Sequence, residues 1–420
     1  AAGTNGLVYT QLVYPMPALN EREQQLIPLL SHLVTELGLA DQDYLTVQNR
    51  QTSVCGSIGF YTNLRATIDA SQDCRAFAIL SSKGLRKNIE PMVELLLDTA
   101  AAVRFDETKR IKDILTQVLA RRESSVSSKG HVLAMNSAAA EISGLAQYHA
   151  MTTGLEGLVF MKQLVASLED EAQLSQLAGE FQALYSKLTT APSDILVIGE
   201  DESLQRMESA LERLDRGNTE SPIWSLKPKS QSKTKFWKIN STVNFCASAY
   251  PTVPSSHPDA AALTVLAGVL RNGFLHREIR EKGGAYGGGA TQDNGLASFK
   301  FYSYRDPRCK DTIEDFQRGI HWLIDNEVSF DQVEESILGV VSSLDKPASP
   351  AGEAKQSFYN VLHDRSPEFR REFRERILSV TTADLKRVAN TYFVGVEPTV
   401  CVLGPESSLS ELKDAVVYSL

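Results

Sequence analysis

The chain is 420 residues long, 42% hydrophobic and 23% charged, the composition of an ordinary globular protein and more than one compact core usually holds. Its net charge of -9, with no basic run interleaved with aromatics, argues against a nucleic-acid surface, and no run of about 18 apolar residues is there to span a membrane. The five cysteines are odd in number and include no Cys-x-x-Cys pair, so neither a disulfide framework nor a zinc ribbon is expected.

In chain order, the alternating segment Leu7 to Tyr14, closed by Pro15, predicts a strand. Leu26, Leu29, Leu30, Leu33 and Leu37 mark the apolar face of a helix before Gly38. Extended segments follow near Thr52 to Phe60 and Ala76 to Ser81. A helix through Ile89, Met92, Leu95 and Leu96 ends at Phe105-Asp106, with Asp106 placed to cap the next helix, whose face reads Ile111, Leu115 and Val118. The small-residue-rich segment Ser124 to Leu164, including Ser137-Ala-Ala-Ala140, reads as helical and closely packed. A helix through Leu177, Phe181 and Leu184 to Tyr185 leads into the strand Ile195-Leu-Val-Ile-Gly199.

After a polar stretch, residues 216–235, the same order of signals returns. Thr242 to Tyr250 and Pro251 repeat the first strand; Leu263, Leu266, Val269 and Leu270 repeat the helix before Gly273. Ala285 to Gln292 and Ala297 to Tyr304 repeat the extended pair. Ile313, Phe316, Ile320 and Leu323 form a helix before Phe330-Asp331, with Asp331 as the next cap. A helix through Leu385 and Val388 to Tyr392 precedes Val400-Cys-Val-Leu-Gly404. The expected fold is α+β, with two homologous domains at 1–215 and 236–420 and a linker at 216–235. Each domain is expected to be a mainly antiparallel mixed sheet with helices packed on one face.

One asymmetry between the copies carries chemistry. Arg280-Glu-Lys-Gly-Gly-Ala-Tyr-Gly-Gly-Gly289 sets a cation and a phenol six residues apart around a glycine hinge, so Arg280 and Tyr286 can address one place. Gly283, Gly284, Gly287 and Gly288 are candidate substrate-binding positions, because glycine weakens a strand unless another backbone or a ligand comes close. A helix cap followed by a tight turn is the alternative. The first copy, at roughly Asp43 to Thr52, has no Arg-x5-Tyr and no glycine cluster, which favours function. A phosphate loop is disfavoured, since the spacing of such loops is missing.

The run Leu275 to Ala290, followed by Phe299-Lys-Phe-Tyr-Ser-Tyr-Arg-Asp-Pro307, resembles the C-terminal half of the presequence-protease and falcilysin branch of the pitrilysin/insulinase superfamily of zinc peptidases. The resemblance implies the third and fourth of four homologous domains, which close as a clamshell around a short unfolded peptide. It also implies that an N-terminal half with His-x-x-Glu-His holds the zinc and general base, while Arg280 and Tyr286 reach the substrate carbonyl and developing oxyanion. The seven histidines here (His32, His131, His149, His257, His276, His321 and His363) include no His-x-x-Glu-His or His-Glu-x-x-His, and His32 with Glu36 reads as a surface contact. No metal site is therefore expected on this chain, and no peptidase activity from it alone. A non-catalytic scaffold or peptide-binding subunit of the same fold is the competing reading. The opening Ala-Ala-Gly-Thr-Asn-Gly lacks a secretory pattern, as a mature or truncated chain would, so localisation stays open; the resemblance implies a soluble protein, mitochondrial or plastid if a eukaryotic member of that branch and in a bacterial soluble compartment otherwise.

Overall fold

A computed structural model describes residues 1–70, 72–212, 214, 221–228 and 233–420. The first half runs β1 (Leu7–Pro15), α1 (Glu21–Leu33), α2 (Tyr44–Val54), β2 (Ser57–Ala66), β3 (Asp73–Leu85), α3 (Ile89–Ala102), α4 (Thr108–Ala139), α5 (Gly144–Thr152), α6 (Leu155–Ser167), α7 (Glu171–Thr189), β4 (Asp194–Ile198), α8 (Asp201–Ala210) and β5 (Ile223–Ser225). The second runs β6 (Thr234–Lys238), β7 (Phe245–Pro251), α9 (Ala260–Leu270), a π-helix (Arg271–Lys282), β8 (Gly287–Asp293), β9 (Ser298–Tyr304), α10 (Lys310–Asp325), α11 (Phe330–Leu344), α12 (Pro350–Leu362), α13 (Pro367–Leu378), α14 (Thr382–Tyr392), β10 (Thr399–Gly404) and β11 (Val416–Ser419).

The fold is α+β, and the repeat extends to sheet topology. The first sheet is ordered β2-β3-β1-β4 and the second contains β8-β9-β7-β10, with each opening strand hydrogen-bonded on both sides. Register matches this order: Leu12 lies opposite Leu80 and Ile195, as Ala247 lies opposite Tyr302 and Cys401. The named ladders of the first sheet are antiparallel, whereas β6 and β11 extend the second sheet in parallel beyond β10. Of the stretch 216–235, residues 216–220 and 229–232 lie outside the described residues. Between them, Ile223–Ser225 pairs with β3.

Each sheet receives a helix from the other half. Helix α4 lays its small residues along the second sheet: a Cβ on Gly130 would stand 2.5 Å from the Phe245 ring, and Trp237 donates from Nε1 to Ser137 at 3.3 Å. Helix α12 returns the exchange, with Tyr359 packed on Val13, Phe77 and Ile79 of the first sheet and its hydroxyl donating to Gln11 at 2.8 Å. Ala134 and Ala138 consequently share one core with Ala247, Ala249 and Leu403. A buried ion pair adds to the joint: Lys235 of β6 meets Glu141 at 2.5 Å and Glu156 at 3.7 Å. Burial opposes the Lys235 charge, but the Glu141 hydrogen bond and the two carboxylates outweigh it and raise its pKa.

Local details correct the sequence reading. Residues 52–54 finish α2 rather than starting a strand. Asp106 does not cap α4; its carboxylate accepts two hydrogen bonds from Arg104. Ser329 caps α11 through a capping box with Gln332, leaving Asp331 in the first turn. Glu36 lies beyond the end of α1 and is bound by Arg110 and Gln48 rather than by His32.

Candidate functional site

Helix α9 runs without a break into the π-helix, whose wide winding is visible at its end, where Gly283 N–H donates to Glu278 O at 2.9 Å, five residues back. Such widened turns are frequent at functional sites. Gly284 then turns the chain with φ at +80°, a left-handed value that glycine takes without strain. Ala285 N–H returns to Ile279 O at 3.1 Å. Tyr286 N–H reaches Tyr304 O at 3.1 Å, and β8 begins.

This turn holds Tyr286 out from the protein. The side chain is 70% exposed, its ring standing edge-on to Tyr304 at 5.5 Å, and its hydroxyl has no hydrogen-bond partner among the described residues. Tyr304 is itself backed by His131 of α4 at 4.7 Å, so a helix of the first half supports the phenol of the second. The Arg305 guanidinium lies over Tyr304 at 5.5 Å. Arg280 is also exposed, and its one polar partner among the described residues is His276, to which Nη1 donates at 3.4 Å. No hydrogen bond joins Arg280 to Tyr286; the two stand on either side of the glycine turn, the guanidinium touching His276 and the phenol hydroxyl without a partner among the described residues.

The four glycines divide by cause. A Cβ on Gly283 would lie 2.0 Å from Arg308 Nη2, and one on Gly288 would lie 2.7 Å from Ile279 Cγ2. Those positions, with Gly284, are dictated by packing and backbone. A Cβ on Gly287 meets nothing within 4 Å, so packing does not explain glycine at the start of an edge strand.

Beneath the turn lies a network that sequence reasoning missed. Arg308 bonds Asp315 at 3.0 Å and reaches Glu278 O at 3.3 Å, clamping the π-helix end to α10. Asp306 is fully buried, accepting from Thr312 at 2.7 Å and from Arg308 N–H at 2.9 Å; burial pushes its pKa up against those bonds. Glu278 is held below the usual carboxylate range by the Lys282 hydrogen bond, with Arg277 helping and burial opposing. The Arg-Asp-Pro-Arg run after β9 was the available signal for this clamp, since an ionised pair next to a strand end must find partners if buried.

Among the described residues, no group of three or more His, Cys, Asp or Glu side chains is arranged to hold a metal ion, and no helix is long and apolar enough to cross a membrane.

Residues 1–164 match the family described as Peptidase M16C associated, and residues 235–400 match the PreP C-terminal domain. The chain is 30% identical over 425 residues to the mitochondrial presequence protease of Drosophila melanogaster, covering 98% of this chain and 40% of that protein. The Danio rerio enzyme of the same name is 28% identical, with 96% and 42% covered. The chain thus spans about 40% of the length of these curated relatives. In fold it superposes on a solved structure described as the peptidase M16 inactive domain of Pseudomonas fluorescens with a TM-score of 0.63, at 16% identity and covering 96% and 94% of the two chains. With residues 1–164 and 235–400 matched by the M16C-associated and PreP C-terminal models and with presequence proteases as relatives along nearly the whole chain, this chain belongs to the presequence-protease branch of the M16 peptidase family, as the counterpart of its C-terminal half.

Proposed function

We propose that the chain is the substrate-contacting half of a zinc endopeptidase that degrades short unfolded peptides, completing an active site whose zinc and general base sit on an N-terminal half carrying His-x-x-Glu-His. The observation that carries this reading is Tyr286. A large aromatic side chain is held exposed by a left-handed glycine and an aromatic support, with its hydroxyl free to donate. In this reading Tyr286 donates to the carbonyl oxygen of the scissile peptide, and the Arg280 guanidinium stabilises negative charge as it develops there. Gly287, open on its Cβ side, lets an extended peptide backbone lie against the start of β8. Gly283, Gly284 and Gly288 shape the turn that aims the pair.

Zinc, when bound by the other half, supplies Lewis-acid activation of water and carbonyl. The described residues of this chain are not arranged to hold it: His276 is engaged by Glu281 at 3.4 Å and by Arg280, with no third ligand beside it among them. The division at 1–215, 216–235 and 236–420, and a soluble compartment like that in the relatives' mitochondrial names, belong to the same proposal. The scaffold reading predicts that Arg280 and Tyr286 matter for folding alone.

Pairing the chain with an N-terminal half and assaying an unstructured fluorogenic peptide separates the two. We expect chelator-sensitive turnover from the pair and none from the chain alone, with Arg280→Lys strongly impaired because the planar fork is lost. Chelator-sensitive turnover by the pure chain, or an unimpaired Arg280→Lys pair, refutes the reading.

A further inference from the structure

A cleft of about 590 Å³ opens where the two halves meet beyond the end of α12. That volume falls within the roughly 300–1,000 Å³ typical of small-molecule sites. Arg65 enters from the end of β2 in the first half, and Arg365, Arg370, Arg371 and Arg374 enter from the α12–α13 connection and α13 in the second. Against these five arginines the lining has one acid, Asp345, in a chain whose net charge is -9.

That acid is already used. Both Asp345 oxygens accept from Arg374, at 2.6 to 3.1 Å. Arg371 has only an exposed Glu368 at 3.9 Å. Arg65, Arg365 and Arg370 make no ion pair among the described residues, and the Arg365 Nε is buried without a hydrogen-bond partner. Burial and then the Arg65 charge both depress the Arg365 pKa, so these guanidiniums are held together against their repulsion. Asp293, whose charge acts on Arg365, is committed to Lys300 at 2.9 Å and to the amides of Gly295 and Leu296. Converging guanidiniums with spare donors are the arrangement that recognises planar or tetrahedral oxyanions. Phe369 and Phe373 add an apolar wall.

We propose that this cleft binds a small, multiply charged oxyanion, a phosphate or polycarboxylate compound whose anionic groups engage Arg65, Arg365 and Arg370 while its remaining surface rests on Phe369 and Phe373. Because Arg65 belongs to one half and the other two to the second, an occupied cleft ties the halves together. The proposal is independent of the peptidase reading.

Calorimetric titration of the full chain with inorganic tripolyphosphate and, separately, with citrate tests it, at constant ionic strength and with thermal melting in parallel. We expect one site per chain for at least one anion, a Tm that rises with its concentration, and affinity reduced about tenfold or more in Arg65→Gln and in Arg370→Gln. Neither side chain has an ion-pair partner among the described residues to lose, so both variants should melt near wild type without ligand; Arg370, exposed on α13, is the safer of the two. Binding of tripolyphosphate alone assigns phosphate chemistry and binding of citrate alone assigns carboxylate chemistry. No saturable binding of either anion, or wild-type affinity in both variants, overturns the proposal.

Discussion

The junction between α2 and β2 and the junction between the π-helix and β8 occupy the same place in the two copies, and they are built differently. In the first, α2 ends at Cys55 with an ordinary bond to Gln51 O at 3.0 Å, and β2 starts two residues later. In the second, the helix widens, four residues intervene, one of them is left-handed, and Tyr286 stands in solvent. The edge strands diverge in use as well. Tyr61 on β2 accepts from Gln11 at 2.7 Å in a polar network that continues to Tyr359 of α12, whereas the Tyr286 hydroxyl has no hydrogen-bond partner among the described residues. The two copies therefore use a tyrosine near the edge strand for opposite ends, Tyr61 within β2 joining the halves and Tyr286 just before β8 on display. A duplicated fold keeps its core periodicity while its junctions are free to diverge, because a two-residue insertion between a helix and an edge strand disturbs no buried layer.

These two tyrosines give the largest test. In the assembled enzyme Tyr286→Phe should lower turnover by about 10²-fold, on the order of 3 kcal/mol, with Tm unchanged. Tyr61→Phe should leave turnover at wild type and lower stability by about 1 kcal/mol through the lost hydrogen bond. Equal turnover in Tyr286→Phe and wild type breaks the comparison outright.

Two neighbouring glycines sharpen it. Gly288→Ala forces a methyl against Ile279 and should destabilise by about 1–3 kcal/mol. Gly287→Ala has room and should stay within about 0.5 kcal/mol of wild type in chemical denaturation, yet reduce kcat/KM if a peptide backbone packs there. An active Gly287→Ala enzyme with unchanged kcat/KM removes Gly287 from the site.

The support of Tyr286 from the first half is tested by His131→Ala. Losing the ring behind Tyr304 should reduce turnover by less than Tyr286→Phe while also lowering Tm, since His131 is packed between Tyr302 and Tyr304. A drop in Tm with full turnover would show that the phenol needs no such backing.

The smallest effect is a pH dependence that belongs to the second copy. Asp259 accepts from Arg387 at 2.7 Å and Tyr392 at 2.8 Å, and these bonds, the arginine's first, hold its pKa below the ordinary aspartate value against burial. A depressed folded pKa contributes stability above the unfolded value, near pH 4, and loses it as pH falls through the folded value. Asp259→Asn should thus lower Tm at neutral pH and flatten the acid limb of Tm against pH. An acid limb as steep as wild type assigns that limb to other carboxylates.

The repeated order of the main elements, the apolar faces and the Arg280 to Gly289 anomaly were legible in the residues, whereas α2, α8, α12, α13 and the short strands β5, β6 and β11 were not. The legible features rest on local periodicity and on glycine's backbone freedom, which need no distant partner. Boundaries failed where a neighbour competed: Asp106 was drawn to Arg104 instead of capping α4, and Ser329, a better cap geometrically, displaced Asp331. The long-range decisions belong to the tertiary structure. Sequence showed Ser137-Ala-Ala-Ala140 as a close-packing helix but could not say that its partner was the sheet of the other half. Nor could it gather Arg65 with Arg365 and Arg370, 300 residues apart, or distinguish Gly287 from Gly283 and Gly288. Local propensity is written residue by residue, whereas which surfaces exchange helices and which charges converge depends on contacts between segments that one-dimensional spacing does not encode.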